Sequence, residues 1–101
     1  MGNPRNKEIR HYILIALEHS YPYGASEQLI SLTLDGLSLI VSPGELQAHL
    51  TYLKQKGYLT KEKVEDDVTK ISRKIAKLTA KGKDLLEGNI PKDPGIGLSQ
   101  E

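Results

Sequence analysis

The run from Ser42 to Leu59, SPGELQAHLTYLKQKGYL, is the stretch that leaves this chain least freedom in how it can fold. Ser42 is placed to accept a hydrogen bond from the backbone N–H of Glu45, and the Glu45 carboxylate to reach back to the N–H of Ser42, a reciprocal cap for a helix start. Pro43 then falls at the first helical position, where its missing N–H costs nothing. Leu46, Leu50 and Leu53 recur at helical spacing and form one apolar stripe, which leaves Gln47, Ala48, Thr51, Lys54 and Gln55 elsewhere on the surface. Gly57 supplies a left-handed stop. From Tyr58-Leu59-Thr60-Lys61 the period changes to that of a strand, so a capped helix over 42–56 runs directly into a basic extended segment.

Two helices are expected before it. The first starts near Arg5, after a frayed stretch at 1–4, and carries Ile9, Tyr12, Ile13, Ala16 and Leu17 on one face as far as His19-Ser20. Leu14 and Ile15 fall off that stripe, and a helix apolar over so much of its circumference is either deeply buried or shared with a partner. Together with Leu85 and Leu86 they form the expected interface of a two-fold homodimer. Tyr21-Pro22-Tyr23-Gly24 breaks the chain. Ser26 caps the second helix, with Leu29, Ile30, Thr33 and Leu37 turned inward and Leu34 as an addition. Leu39-Ile40-Val41 reads as an extended link packing on the core.

After the central helix the chain reads as a strand over 58–64, a polar tip at Glu65-Asp66-Asp67, and a return over 69–78. Ile71, Arg73, Ile75 and Lys77 share one face of that return, and Ser72, Lys74, Ala76 and Leu78 the other. The alternation is poor, and three readings fit it: a bulge near Arg73-Lys74, a long solvated hairpin outside the core, or a helix over 67–78. Thr79 caps a last helix to about Glu87, stopped by Gly88. One core is expected from Leu29, Ile30, Leu46, Leu50, Leu53, Leu59, Leu78 and Leu85. Residues 1–88 thus make one domain, and 89–101, rich in Pro and Gly, a tail that Ile90 and Ile96 pin to the surface.

A chain of 101 residues with 38% hydrophobic content can bury one core and not two. It has no cysteine, which removes disulfides and thiolate metal sites and fits a reducing cytoplasm. The apolar run from Tyr12 to Leu17 is far too short to span a bilayer, so no membrane association is expected. The net charge of +1 hides an asymmetry, because ten basic residues against four acidic ones lie between Lys54 and Lys83. A segregated positive field favours a polyanion, although lysines also serve simply to keep a strand pair solvated.

A search for chemistry returns no catalytic residues, no cofactor site and no metal site. His11, His19 and His49 are scattered, and His49 reads as a helix residue packing or capping rather than as a ligand. The acidic tip with Glu62 lacks calcium-loop spacing. The glycines are dispersed singly, with no phosphate-binding loop, and no strand-turn-helix elbow carries a nucleophile. Tyr58 reads as core; Tyr52 is open to stacking.

The leucine ladder Leu46…Leu50…Leu53…Gly57-Tyr58-Leu59, taken with Leu78-Thr79-Ala80-Lys81-Gly82…Leu85-Leu86, resembles the winged helix-turn-helix superfamily of DNA-binding proteins. The expected architecture is mainly α (α+β): a three-helix core, a β-hairpin wing and a C-terminal helix. Ser26-x-x-Leu29-Ile30, Val41-Ser42, Leu78-Thr79-x-x-Gly82-x-Asp84 and Pro94-Gly95-Ile96 further resemble short winged-helix proteins of Mu-like prophages. The resemblance implies a cytoplasmic transcriptional regulator that binds double-stranded DNA. Its recognition helix would use Ser42, Gln47, Ala48, Thr51 and Lys54, and its wing Lys61, Lys63, Lys70, Arg73 and Lys74. The helix departs from the superfamily pattern in offering Gln47, Ala48 and Thr51 where such proteins often carry a cation. A second expectation is a protein-interaction module of phage assembly or packaging that keeps the fold without sequence-specific DNA binding.

Overall fold

In the computed structural model, which describes residues 3–98, the chain runs α1 (Pro4–His19), β1 (Ala25–Ser26), α2 (Glu27–Gly36), α3 (Pro43–Gln55), β2 (Leu59–Glu65), β3 (Ser72–Leu78) and α4 (Ala80–Glu87). Met1, Gly2 and positions 99–101 lie outside the described residues, and with them part of the frayed start and of the tail. The start is ordered sooner than expected, because the Asn3 side chain accepts the N–H of Arg5 and caps α1 with Pro4 at its first position. Ser26, Ser42 and Thr79 cap α2, α3 and α4, each accepting the N–H three residues on at 3.1 Å. The Glu45 carboxylate still interacts with the Ser42 N–H, but its main partner is the Arg5 guanidinium, a charge-assisted donor stronger than a neutral N–H.

One core collects Ile9, Ile13, Leu14 and Leu17 from α1, Ile30 and Leu34 from α2, Leu46, Leu50 and Leu53 from α3, and Tyr58, Leu59, Ala76 and Leu78 from the strands and their approach. Two expectations change here. Leu29 is 53% exposed, and Leu34 takes the inward place on α2. Leu14 is wholly buried within the single chain, so its position off the first stripe reflects a helix packed on several sides. Leu85 and Leu86 pack against the core from its edge.

The three strands form an antiparallel sheet in the order β1-β3-β2. Pairing runs without a break from Leu59↔Leu78 to Glu65↔Ser72, which removes both the bulge and the helix; the solvated hairpin is what forms. Only its base, at Leu59, Ala76 and Leu78, meets the core, and the rest stands in water, which is why its alternation is weak. β1 was not legible in the sequence. It pairs Ala25 with Ala76 and Ser26 with Ile75, and the approach is close because a Cβ on Gly24 would collide with the Ala76 carbonyl oxygen.

Candidate nucleic-acid interface

α3 buries Leu46, His49, Leu50 and Leu53, so the opposite surface presents Gly44, Ala48, Thr51, Lys54 and Gln55 to solvent. Two arginines of α1 hold its inner and N-terminal sides. Arg10 donates through Nε to Nδ1 of His49 at 3.2 Å and lies over the Tyr52 ring at 3.9 Å. Arg5 pairs with Glu45 and donates to the carbonyl of Ile40 at 2.7 Å. Burial, with the Arg10 charge, lowers the His49 pKa, and the hydrogen bond from Arg5 lowers that of Glu45. The end of α3 is tied to the C-terminal segment, since Tyr52 donates to Asp93; Gly57, in the left-handed conformation, lets the chain turn out of the helix. Tyr52 is thereby occupied rather than open to stacking.

The sheet pairing decides which way each wing side chain points. Leu59, Lys61 and Lys63 share a face with Leu78, Ala76 and Lys74, and that face meets the core and α3 at its base. Val64, Arg73 and Ile75 lie on the other face, where Glu62 and Lys77 pair at 2.7 Å. Lys63 stands directly opposite Lys74, so two like charges are held side by side, which is unfavourable for the hairpin alone and favourable for an anion laid across it. At the tip Asp66 accepts the N–H groups of Val68 and Thr69, which sets the turn, and Lys70 sits in the left-handed region at φ 61.

The sequence-derived interface residues divide accordingly. Ala48, Thr51, Lys54, Lys63, Lys70, Arg73 and Lys74 are exposed, and none of these cations has an acidic partner within ion-pair distance among the described residues. Ser42 is exposed but its hydroxyl is used as the helix cap. Gln47 and Lys61 are half-buried and bonded to each other and to Glu27. Arg73 projects from the face opposite Lys63 and Lys74, so the wing cations do not form one patch. Of the residues expected at a dimer interface, Leu14 is inside the monomer, while Ile15, Leu85 and Leu86 are half-buried. Sequence reasoning missed Glu27, whose one signal was an acid just after the Ser26 cap, and Asp93, which had none.

Among solved structures, the chain is similar to a PadR-like transcription factor from Bacteroides fragilis, with 32% identity over 80% of this chain and 75% of that one and a TM-score of 0.65. The chain belongs to the PadR-like family. Two further structures share the PadR-like fold at 22% identity each. One is a PadR family transcription regulator from Clostridium difficile R20291, with a TM-score of 0.68, covering 80% of this chain and 81% of that one. The other is Bacillus subtilis PadR in complex with operator DNA, with a TM-score of 0.61, covering 92% of this chain and 52% of that one. No protein-family model matches this PadR-like chain, and no curated protein matches it. No helix among the described residues is long and apolar enough to cross a membrane.

Proposed function

We propose that this PadR-like protein is a cytoplasmic, non-enzymatic transcriptional regulator that binds duplex DNA, with α3 in the major groove and the wing along the phosphates. The observation that carries the reading is the set of exposed cations Lys63, Lys70, Arg73 and Lys74, without acidic partners among the described residues, on the hairpin that follows α3. The Bacillus subtilis relative bound to operator DNA supports it through the shared fold. Ala48 and Thr51 are short and uncharged, suited to thymine methyl groups, so binding energy comes mainly from phosphate contacts. A homodimer formed through Ile15, Leu85 and Leu86 would give the two-fold arrangement that a pseudo-palindromic site matches. Domain limits of 1–88, with 89–101 as an appended segment, belong to this reading.

An electrophoretic-shift titration of random duplex at several salt concentrations tests it. With four or five cations on phosphate, the logarithm of the binding constant falls against log salt with a slope of roughly −4. No binding by micromolar duplex at low salt, where electrostatic attraction is strongest, sinks the DNA reading. The second reading, a protein-interaction module in a prophage setting, is favoured by the exposed apolar Val64, Val68 and Ile71 on the wing and Leu29 and Leu32 on α2. It has no salt-sensitive shift.

A further inference from the structure

The two side chains best equipped for DNA next to α3 are both engaged elsewhere. Gln47 Nε2 donates to Glu27 Oε1 at 2.6 Å, and Lys61 Nζ donates to Gln47 Oε1 at 2.8 Å. The ring closes on the second Glu27 oxygen, which lies 3.3 Å from Lys61 Nζ, is buried, and accepts no hydrogen bond. The Glu27 side chain is 14% exposed and that of Lys61 21%, so the attraction is only partly screened by water. Glu27 occupies the first turn of α2, where the helix N-terminus favours an anion, and from there it reaches both α3 and the wing base.

We infer that Glu27 is a positioning residue that withholds Lys61 and Gln47 from duplex DNA and thereby sets how strongly this protein binds it. A free Gln47 amide would read adenine through one donor and one acceptor, and here the amide is held away by one bond donated to Glu27 and one accepted from Lys61. A free Lys61 would place a cation between the recognition surface and Lys63, and here a carboxylate neutralises it. The network therefore does two things at once. It fixes the wing base against α3, and it removes one phosphate contact and one base reader from the surface. The inference rests on the DNA reading above.

Glu27→Gln keeps the shape and an acceptor for Gln47 but releases the Lys61 charge. Its salt slope should steepen by about one unit, since each phosphate contact contributes about −0.9. The affinity of Glu27→Gln over the wild type should then fall about 3.5-fold between roughly 50 and 200 mM salt. Adding Lys61→Met to Glu27→Gln should return the slope to that of the wild type, and Lys61→Met alone should leave it nearly unchanged. A stapling role without restraint gives the opposite pattern, in which Glu27→Gln weakens binding or leaves the slope as it was, and that result overturns the inference. A slope that stays steep in the double variant also overturns it, because Glu27 would then act by plain repulsion and not through Lys61. Gln47→Ala in the wild type should leave preference between sequences unaltered; a shift in preference shows the amide on the bases and counts against the inference. If neither the wild type nor Glu27→Gln binds duplex at low salt, the DNA reading itself is wrong, an outcome separate from binding with an unchanged slope.

Discussion

The Tyr58 hydroxyl donates to one carboxylate oxygen of Asp93 at 2.9 Å while Tyr52 donates to the other at 3.0 Å, which joins both ends of the turn after α3 to the C-terminal segment. Burial and the bond to Asp93 push the Tyr58 pKa up to about 12. For Asp93 burial opposes ionisation, but the Gly95 N–H, the two hydroxyls and Lys56 outweigh it, and its pKa lies below the usual carboxylate value. Asp93→Ala leaves two hydroxyls without their acceptor and should cost about 1–3 kcal/mol in urea denaturation. Asp93→Asn should cost less, since its amide oxygen still accepts one of them. A loss under about half a kcal/mol for the alanine variant would show that the clasp does not hold the segment.

His49 makes the stability of this protein pH-dependent. Burial disfavours the charged ring, and because its Nδ1 accepts from Arg10, protonation there also requires losing that bond and facing the guanidinium, with Arg5 nearby and Glu45 opposing. The folded-state pKa therefore lies below the ordinary 6.5, and the unfolded chain takes up the proton first. The stabilisation is complete above that ordinary value and is lost as pH falls from it towards the folded pKa. His11, lowered by burial and partly restored by Glu8, adds the same sign. His49→Gln, which keeps an acceptor for Arg10, should flatten the dependence of chemical denaturation as pH falls below 6.5 without abolishing it. An unchanged profile would rule out His49 as its source.

Leu14 and Leu50 should be equally costly to truncate. Each is wholly buried, so Leu14→Ala and Leu50→Ala should each lose about 2–5 kcal/mol, while Leu29→Ala should change stability by less than about half a kcal/mol. Equilibrium denaturation of the three variants distinguishes the buried Leu14 and Leu50 from the exposed Leu29.

Two glycines in helices should respond in opposite directions to alanine. Gly36 has open space around its missing Cβ, and Gly36→Ala should gain up to about 1 kcal/mol. A Cβ on Gly82 would meet the carbonyl oxygen of Tyr58 and a methyl of Leu78, and Gly82→Ala should lose about 1–3 kcal/mol despite the better helix former. Thermal unfolding gives the sign of each.

The wing should act on DNA through one face more than the other. Lys74 shares the α3 side of the sheet with Lys63, and Arg73 projects from the opposite side beside Val64. Lys63→Ala and Lys74→Ala should each flatten the salt slope by about one unit, and Arg73→Ala by clearly less. Equal effects of all three would mean that the duplex wraps the hairpin tip.

Local chemistry was legible in the sequence. Ser26, Ser42 and Thr79 cap helices because a hydroxyl and an N–H three residues on meet whatever the rest of the chain does, and Gly57 and Gly88 end helices because they adopt positive φ at low cost. The winged-helix order of elements followed from those signals. Competition between distant partners was not legible. α2 carries leucines around most of its circumference, and only its packing against α1, β1 and β3 turns Leu34 inward and leaves Leu29 exposed. Glu45 has a local partner in the Ser42 N–H, but its stronger one is Arg5, 40 residues away. Residues 72–78 fitted helix and strand alike until β2 supplied the hydrogen bonds of a ladder. Lys61 looked like a free cation until Glu27, on an element 34 residues earlier, met it. Spacing along the chain determines which bonds a residue can make with its neighbours, and only the packed structure decides which of several distant partners is near enough to win.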